Sequence, residues 1–266
     1  MSLRPVYAVV ERELLRMFRQ RTRLVATLVR PLIWLFVIGA GFAAVIGEAR
    51  GMDYKSFLVP GVLGMTMLFG AMLAALTTVY DKESGVMRMM VIAPMPHAWI
   101  VIAKIVSAAA AATLQAVLLL ILLVVLGYAG AGTQWGLLAV GLVATSFACA
   151  GIGMVTASFS RTLDNFAGIM NFVIFPVFFL SGSLYPVRDL PPVLRWIATA
   201  NPYTYGVDLL KHATLPQATM SADFGVALDI AVLAGATALA IVVASWRFSQ
   251  ESAYEPMIHI LAGKRG

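Results

Sequence analysis

The stretch LQAVLLLILLVVL, residues 114–126, decides the fold, because Gln115 is its only polar side chain. It forms the apolar end of a longer segment, and an α-helix needs about 20 such residues to cross a bilayer. A membrane β-barrel would instead show weakly alternating segments of about 10 residues. Of the 266 residues, 61% are hydrophobic and only 12% are charged, against about 25% charged in soluble domains. The sequence therefore predicts an all-α integral membrane protein.

Six apolar segments of this kind predict six transmembrane helices within one membrane domain, residues 1–266. Residues 1–30 precede them and carry seven arginines among apolar residues at helical spacing. This pattern predicts an amphipathic helix lying on an anionic membrane surface, whereas a signal peptide would have a much shorter basic part. The predicted spans are 31–47, 57–80, 101–127, 134–159, 166–183 and 225–246.

The positive charges between the spans predict the orientation. With the N-terminus inside, 14 Arg and Lys residues lie on the cytoplasmic side and 5 lie outside, so both termini are predicted to be cytoplasmic. The excess of basic residues is thereby explained without nucleic acid. The inside residues are the seven arginines of 1–30 and Lys82, Arg88, Lys104, Arg161, Arg247, Lys264 and Arg265; the outside residues are Arg50, Lys55, Arg188, Arg195 and Lys211.

A charged stretch, DKESGVMRMMVIAPMP at residues 81–96, separates the second and third spans. Val86, Met89, Met90 and Ala93 fall on one stripe at helical spacing. The stretch predicts a compact amphipathic helix held close to the bilayer, where a separate soluble motor could push on the membrane protein. A solvated loop with incidental periodicity is the alternative.

The segment 184–224 between the last two spans is rich in proline and interfacial aromatic residues. Proline breaks helices, and Trp and Tyr favour the headgroup zone. We expect short re-entrant helices that dip into the outer interface, with a simple external loop as the alternative. The residues assigned to this region are Pro186, Trp196, Asn201, Pro202, Tyr203 and Tyr205.

Few residues offer catalytic or binding chemistry. No Gly-rich phosphate loop occurs, no Cys/His cluster indicates a metal, and Cys149 reads as a small buried residue. We expect no catalytic residue and no enzymatic activity in this chain. Asp229 and Asp164 fall near span ends, which gives limited support to the alternative of an ion-coupled secondary transporter.

Several motifs, in order along the chain, resemble those of ABC-2 type transporter permeases. The first is Tyr80-Asp81-Lys82-Glu83-Ser84-Gly85, followed by Ala93-Pro94-Met95-Pro96 and Lys104. The second, residues 175–186, reads FPVFFLSGSLYP and resembles the end of the family's fifth span. The signature continues through Leu190-Pro191, Arg195, Asn201-Pro202-Tyr203-Thr204-Tyr205, Asp208 and Lys211.

The resemblance implies a permease subunit of an ATP-binding-cassette exporter in a bacterial cytoplasmic membrane. Two permeases, expected to be a homodimer, would pair above two copies of a separate ATPase that holds ATP and Mg²⁺; this chain would carry no cofactor. Residues 1–30 would form a connecting helix, and the 81–93 helix would be the coupling helix received by the ATPase. The residues assigned to coupling are Asp81, Glu83, Gly85, Met87, Arg88 and Pro94.

The resemblance also implies that the second and fifth spans line a central path for an amphipathic or hydrophobic cargo. Drug-like molecules and lipid-linked or oligosaccharide cargo would fit this description. The alternative is that the lining candidates face lipid or the protein core; these candidates are Met65, Met67, Phe69, Asn171, Phe175 and Phe179.

Overall fold

The computed structural model describes most of the chain as a bundle of helices. The described residues are 7, 10–12, 15, 29–41, 48–49, 52–86, 97–130, 132–215 and 222–250, together with the helical backbone of 251–262. The coupling candidates Met87, Arg88 and Pro94, and most of the predicted connecting helix over 1–30, lie outside these residues.

Eight helices are described, and we number them in chain order. They are α1 (Val29–Gly41), α2 (Tyr54–Glu83), α3 (His97–Val125), α4 (Trp135–Phe159), α5 (Leu163–Phe179), α6 (Pro192–Ala200), α7 (Pro202–Thr214) and α8 (Val226–Ala262). Two antiparallel strands of two residues each, β1 (Glu48–Ala49) and β2 (Met52–Asp53), lead into α2. This small hairpin is the one departure from the all-α prediction among the described residues.

Four of the helices, α2, α3, α4 and α8, are long and apolar enough to cross a membrane. The helical membrane class is therefore confirmed. Two shorter apolar helices, α1 and α5, overlap the first and fifth predicted spans, and the count of six spans stays a prediction. The best-matched boundary is that of α4, which begins one residue after the predicted span and ends with it.

The core of the bundle lies around α2 and α4. Helix α2 packs against α3, α4, α5 and α7, and 83% of its most apolar window is buried. Helix α8 packs mainly against α4 and α7, but only 17% of its apolar window is buried. An apolar surface left open in this way is what a lipid-facing helix requires, because lipid tails are as apolar as its side chains.

Helix α7 is short but lies inside the bundle, between α4, α8 and α2. Ten of its thirteen residues are buried. The preceding helix, α6, is amphipathic and has one buried residue, Ala198, whereas Trp196 is 78% exposed. The described part of the segment, residues 184–215 and 222–224, therefore contains two short α-helices, as expected from its prolines, and the second of them is a core element.

The second span ends later than the sequence predicts. Residues Asp81–Glu83 form the last turn of α2 and do not open a separate helix. Gly85 breaks the helix with φ +77°, and its N–H donates to the carbonyl of Lys82 at 3.2 Å, an arrangement that glycine permits at helix ends. The prediction that one amphipathic helix begins at Asp81 is thus wrong at its start: any coupling helix begins after Gly85.

The close packing of α2 against the loop after α5 depends on Gly61. A Cβ atom at Gly61 would lie 2.5 Å from the backbone carbonyl oxygen of Ser183, which cannot rotate away. We expect Gly61→Ala to lower the free energy of unfolding by about 1–3 kcal/mol through overpacking. Thermal unfolding of the protein in detergent measures this loss.

The matched control is Gly235→Ala in α8, where an added Cβ meets nothing within 4 Å. Alanine there is expected to be neutral or to stabilise the helix by up to about 1 kcal/mol. Equal melting temperatures for the two variants would show that α2 does not approach Ser183 this closely.

Candidate functional site

The end of α2 carries a buried ion pair. The Asp81 side chain is 4% exposed, and one of its carboxylate oxygens accepts a hydrogen bond from Lys104 Nζ of α3 at 2.5 Å. The same oxygen lies 3.2 Å from a guanidinium nitrogen of Arg12, which is 44% exposed. A buried carboxylate is stable only when it is paired and hydrogen-bonded, and Asp81 meets this need by joining α2 to Lys104 of α3 and to Arg12.

The next residue, Lys82, connects α2 to α4. Its Nζ donates to the backbone carbonyls of Ala157 and Ser158 at 3.2 and 3.0 Å. These carbonyls belong to the last turn of α4, which lacks intrahelical donors and attracts positive charge. Lys82 Nζ also lies 4.6 Å from the ring centre of Phe248 in α8, a cation–π distance.

The third residue, Glu83, connects α2 to α5. Its Oε2 accepts a hydrogen bond from the backbone N–H of Leu163 at 3.1 Å. Leu163 is the first residue of α5, and the Thr162 hydroxyl accepts from the N–H of Asn165 in the same turn. A carboxylate at this position satisfies an orphan donor and complements the helix dipole.

Three consecutive ionic residues, which we call the charged end of α2 (Asp81–Glu83), therefore contact every long helix of the bundle. They also come immediately before the break at Gly85. A displacement of the chain beyond Gly85 would reach α3, α4, α5 and α8 through these contacts.

The opposite end of the bundle lies roughly 40 Å away, since α2 rises about 1.5 Å per residue. Here Asn201 caps α7: its side-chain oxygen accepts from the N–H of Tyr203 at 3.1 Å, and its amide donates to the carbonyl of Val177 at 2.7 Å. Pro202 occupies the first turn of α7, where its missing N–H costs nothing. Asn201 thus connects α7 to the end of α5.

The two predicted tyrosines hold α7 in place by different means. Tyr203 is fully buried. Tyr205 donates its hydroxyl to the carbonyl of Thr199 at 2.8 Å and packs its ring 4.7 Å from that of Phe224. Pro186 precedes a 3₁₀ turn over Val187–Asp189.

A second charged cluster joins α7 to the start of α8. The two carboxylate oxygens of Asp208 accept from the N–H groups of Asp223 and Phe224 at 2.8 and 2.9 Å. The oxygens of Asp223 accept in turn from the N–H groups of Val187 and Arg188 at 3.0 and 3.1 Å. Lys211 Nζ, almost fully buried, lies 3.5 Å from Asp223.

Burial sets the titration of this cluster. It raises the pKa of Asp208 and lowers the pKa of Lys211, while the neighbouring hydrogen bonds and opposite charges act in the other direction. Asp208 and Lys211 belong to the sequence signature quoted above, and the structure gives each a defined partner.

The predicted lining residues divide into two groups. Met65 and Met67 are buried within the core, and Phe69 is 9% exposed, with the Arg30 guanidinium 4.3 Å from its ring centre. Asn171, Phe175 and Phe179 lie on an exposed face of α5. The second-span candidates therefore pack against their own chain, and only the fifth-span candidates are exposed.

Several contact residues were not identified from the sequence. The motif contains both Asp81 and Lys104, but the sequence does not show that they pair. Asp223 has no signal in the sequence that identifies it as a contact residue. The sequence placed Asp229 near the outer end of the sixth span, and the structure adds that its side chain is fully buried. An ionic residue next to an apolar run is a usable signal, but its partner lies far away in sequence.

Helices of spanning length, packed around buried ion pairs at both ends, define a multi-pass membrane protein. The family model for the ABC-2 type transporter matches residues 4–215, and the chain belongs to that family. The resemblance found in the sequence is thereby confirmed. The chain is a transmembrane permease of the ATP-binding-cassette exporter class, whose members are transport subunits and not themselves enzymes.

Individual relatives agree with this membership. Nodulation protein J of Rhizobium leguminosarum bv. viciae is 29% identical over 199 residues, covering 73% of this chain and 75% of that protein. Nodulation protein J of Rhizobium meliloti (strain 1021) is 27% identical over 200 residues, covering 72% and 74%. The putative transport permease ycf38 of Porphyra purpurea is 24% identical over 219 residues, covering 79% and 74%.

The Asp81–Lys104 contact is expected to matter for the stability of the folded protein. Asp81→Asn removes the carboxylate that faces the buried Lys104 ammonium, so we expect a loss of about 3 kcal/mol or more in the free energy of unfolding. Fluorescence-detected size exclusion after heating measures the change in melting temperature. The control is Asp164→Asn, an exposed carboxylate in the first turn of α5, with an expected loss below about 1 kcal/mol. A variant at Asp81 as stable as the control would contradict a structural ion pair.

Proposed function

We propose that this chain moves an amphipathic or hydrophobic cargo out of the cytoplasm, driven by a separate ATP-binding-cassette ATPase that docks on the segment after Gly85. The single observation that carries the proposal is the charged end of α2. It contacts the four other long helices and stands directly before that segment. Membership of the family supports an ATPase partner, on which ATP and Mg²⁺ would bind, and it weighs against an ion-coupled carrier.

The contacts of Asp81–Glu83 suit the transfer of force. Each of the three side chains bonds to a different helix, so α2 cannot shift alone without breaking polar contacts, of which the Asp81–Lys104 pair is buried. Breaking a buried ion pair costs about 3–5 kcal/mol, which makes concerted movement of the bundle the less costly response. ATP binding would thus displace the segment after Gly85, and α3, α4, α5 and α8 would follow.

The orientation in this proposal puts the charged end of α2 in the cytoplasm and α6 and α7 on the outer side of a bacterial cytoplasmic membrane. The basic residues between the predicted spans support it. In that frame α7 would be a re-entrant helix that closes the outer end of the path. Its buried position between α4, α8 and α2 suits a helix that must be covered by protein at membrane depth.

A second copy of this chain would complete the path. The face of α5 that carries Asn171, Phe175 and Phe179 also exposes Phe172, which is 79% accessible. The Phe175 and Phe179 rings stack with centroids 6.1 Å apart. Two such faces, one from each permease of a homodimer, would form an apolar surface with few charges, which suits the proposed class of cargo.

A substitution that strains the backbone at Gly85 tests the docking proposal. Gly85→Val places a β-branched residue at φ +77°, where such residues are genuine outliers, and so alters the chain path just before the docking segment. We expect the ATPase activity that the permease confers on its reconstituted ATPase to fall at least tenfold, with membrane insertion unchanged. Activity in proteoliposomes, compared with the ATPase alone, is the measurement.

The matched control is Gly127→Val. Gly127 has φ +79° and follows α3 at the opposite end of the bundle, and neither glycine has a neighbour within 4 Å of an added Cβ. The two variants therefore carry similar strain at opposite ends. Equal loss of activity in both would attribute the effect to general destabilisation and would overturn docking after Gly85.

Cross-linking tests the pairing of two α5 helices. We expect Phe175→Cys, 51% exposed in the wild type, to form a disulfide-linked dimer in native membranes under mild oxidation. The native Cys149 is fully buried and needs no replacement. Leu239→Cys on α8, 64% exposed, is the control and is expected to remain monomeric on non-reducing gels. Dimers at Leu239 and none at Phe175 would place the interface on α8 instead.

A further inference from the structure

The start of α8 holds a carboxylate that the transport proposal leaves unexplained. Asp229, in the first turn of α8, is fully buried, and neither of its carboxylate oxygens has a hydrogen-bond partner among the described residues. A buried charge without a partner is costly. An ion that completes its coordination is one explanation for a group of this kind.

Two further ligand-type side chains converge on Asp229 from α7. Asp208 and His212 are four residues apart and share one face of that helix, with His212 Nε2 3.7 Å from Asp208 Oδ2. One donor atom from each of Asp208, His212 and Asp229 can be chosen so that all three lie within 4.8 Å of one another. The carbonyl oxygen of Phe224 lies 2.9 Å from His212 Nε2.

We propose that Asp208, His212 and Asp229 bind a divalent transition-metal ion of the Zn²⁺ or Mn²⁺ type, which fastens α7 to the first turn of α8. One imidazole and two carboxylates form a donor set that favours these ions over Ca²⁺ and Mg²⁺. Metal–ligand bonds of about 2.1 Å put neighbouring donors about 3.0–3.4 Å apart, so donors as far apart as 4.8 Å must approach by up to about 1.4–1.8 Å around the ion.

The surrounding charges favour a cation. Asp223 already faces Lys211 at 3.5 Å and Arg188 at 4.0 Å. Asp208 accepts hydrogen bonds from two backbone N–H groups and lies 3.7 Å from His212. The buried aspartates Asp208, Asp223 and Asp229 thus share Lys211 and the partly exposed Arg188, so this cluster has one more carboxylate than basic side chains, and a bound cation would neutralise that excess.

The protonation of His212 must suit its role as a ligand. In the structure His212 Nε2 donates its proton to the carbonyl of Phe224 at 2.9 Å, because a carbonyl oxygen can only accept. Coordination through Nε2 would replace that proton with the ion and leave a neutral ring protonated on Nδ1. The carbonyl released from this hydrogen bond can serve as a fourth ligand. Asp208 would keep its two backbone N–H bonds, which orient the carboxylate as outer partners orient metal ligands elsewhere.

The test uses the full-length protein in detergent after removal of metal with EDTA. We expect one Mn²⁺ or Zn²⁺ to bind per chain in calorimetry, with a rise in melting temperature, and bound Mn²⁺ to lose its free-ion electron paramagnetic resonance signal. Ca²⁺ and Mg²⁺ at the same concentrations are expected to give neither effect. Asp229→Asn and His212→Gln should each weaken binding at least about tenfold.

The control is Asp189→Asn, an exposed carboxylate beside Arg188 in the preceding 3₁₀ turn, which should bind as the wild type does. Asp229→Asn removes a charge without changing the shape of the side chain. If the Asp229→Asn variant fails to fold, His212→Gln serves as the second variant. Binding that is absent in the wild type, or unchanged in both cluster variants, would overturn the site. An Asp229→Asn variant that gains stability in EDTA while the wild type ignores Zn²⁺ and Mn²⁺ would identify Asp229 as a neutral buried acid instead.

Discussion

The ion pair between Asp81 and Lys104 is the contact on which the rest of the structure depends. It joins the last turn of α2 to the beginning of α3, and it is almost completely buried. A pair of charges in such a position gives little net stability, but its loss is severe, because one charge is then left without its partner. The pair therefore fixes the relative register of two long apolar helices that would otherwise slide against each other. Lys82 and Glu83 add directional bonds to the ends of α4 and α5, where helix termini have unsatisfied groups.

At both ends of the bundle the unpaired backbone groups of helix termini are satisfied, but by different means. At the charged end of α2, side chains from one helix satisfy the termini of others. At the opposite end, a buried short helix does so, because α7 brings Asn201 to the end of α5 and Asp208 to the N–H groups that precede α8. Both ends convert apolar helices, which pack with little specificity, into a unique arrangement through buried polar contacts. Under the proposed coupling to an ATPase, such contacts at the ends would let the helices move as connected bodies.

Much of the architecture could be predicted from the sequence, because long apolar runs have few alternatives in a membrane. The predicted span 134–159 lies within one residue of α4, and the proline-rich segment 184–224 does contain short helices. The start of the amphipathic segment was wrong, since the helical pattern of Asp81–Glu83 continues α2 without a signal of its own and only the positive φ of Gly85 marks the end. The sequence predicts no metal site because it has no Cys and His residues at metal-binding spacing. Asp208 and His212 lie on one helix and Asp229 on the next, with a loop between them that no spacing rule describes.

The sequence by itself determined the membrane class, the approximate helices and the family. The length of an apolar segment and the order of motifs can be read along the chain without knowing which residues meet in space. Only the tertiary structure decided which charged residues meet: Asp81 with Lys104, Glu83 with the start of α5, and Asp229 with Asp208 and His212. The physical reason is that each buried charge needs a partner from another helix, and the identity of that partner depends on packing in three dimensions. The apolar face of α5 follows the same logic, since its exposure is visible only once the other helices have covered the rest.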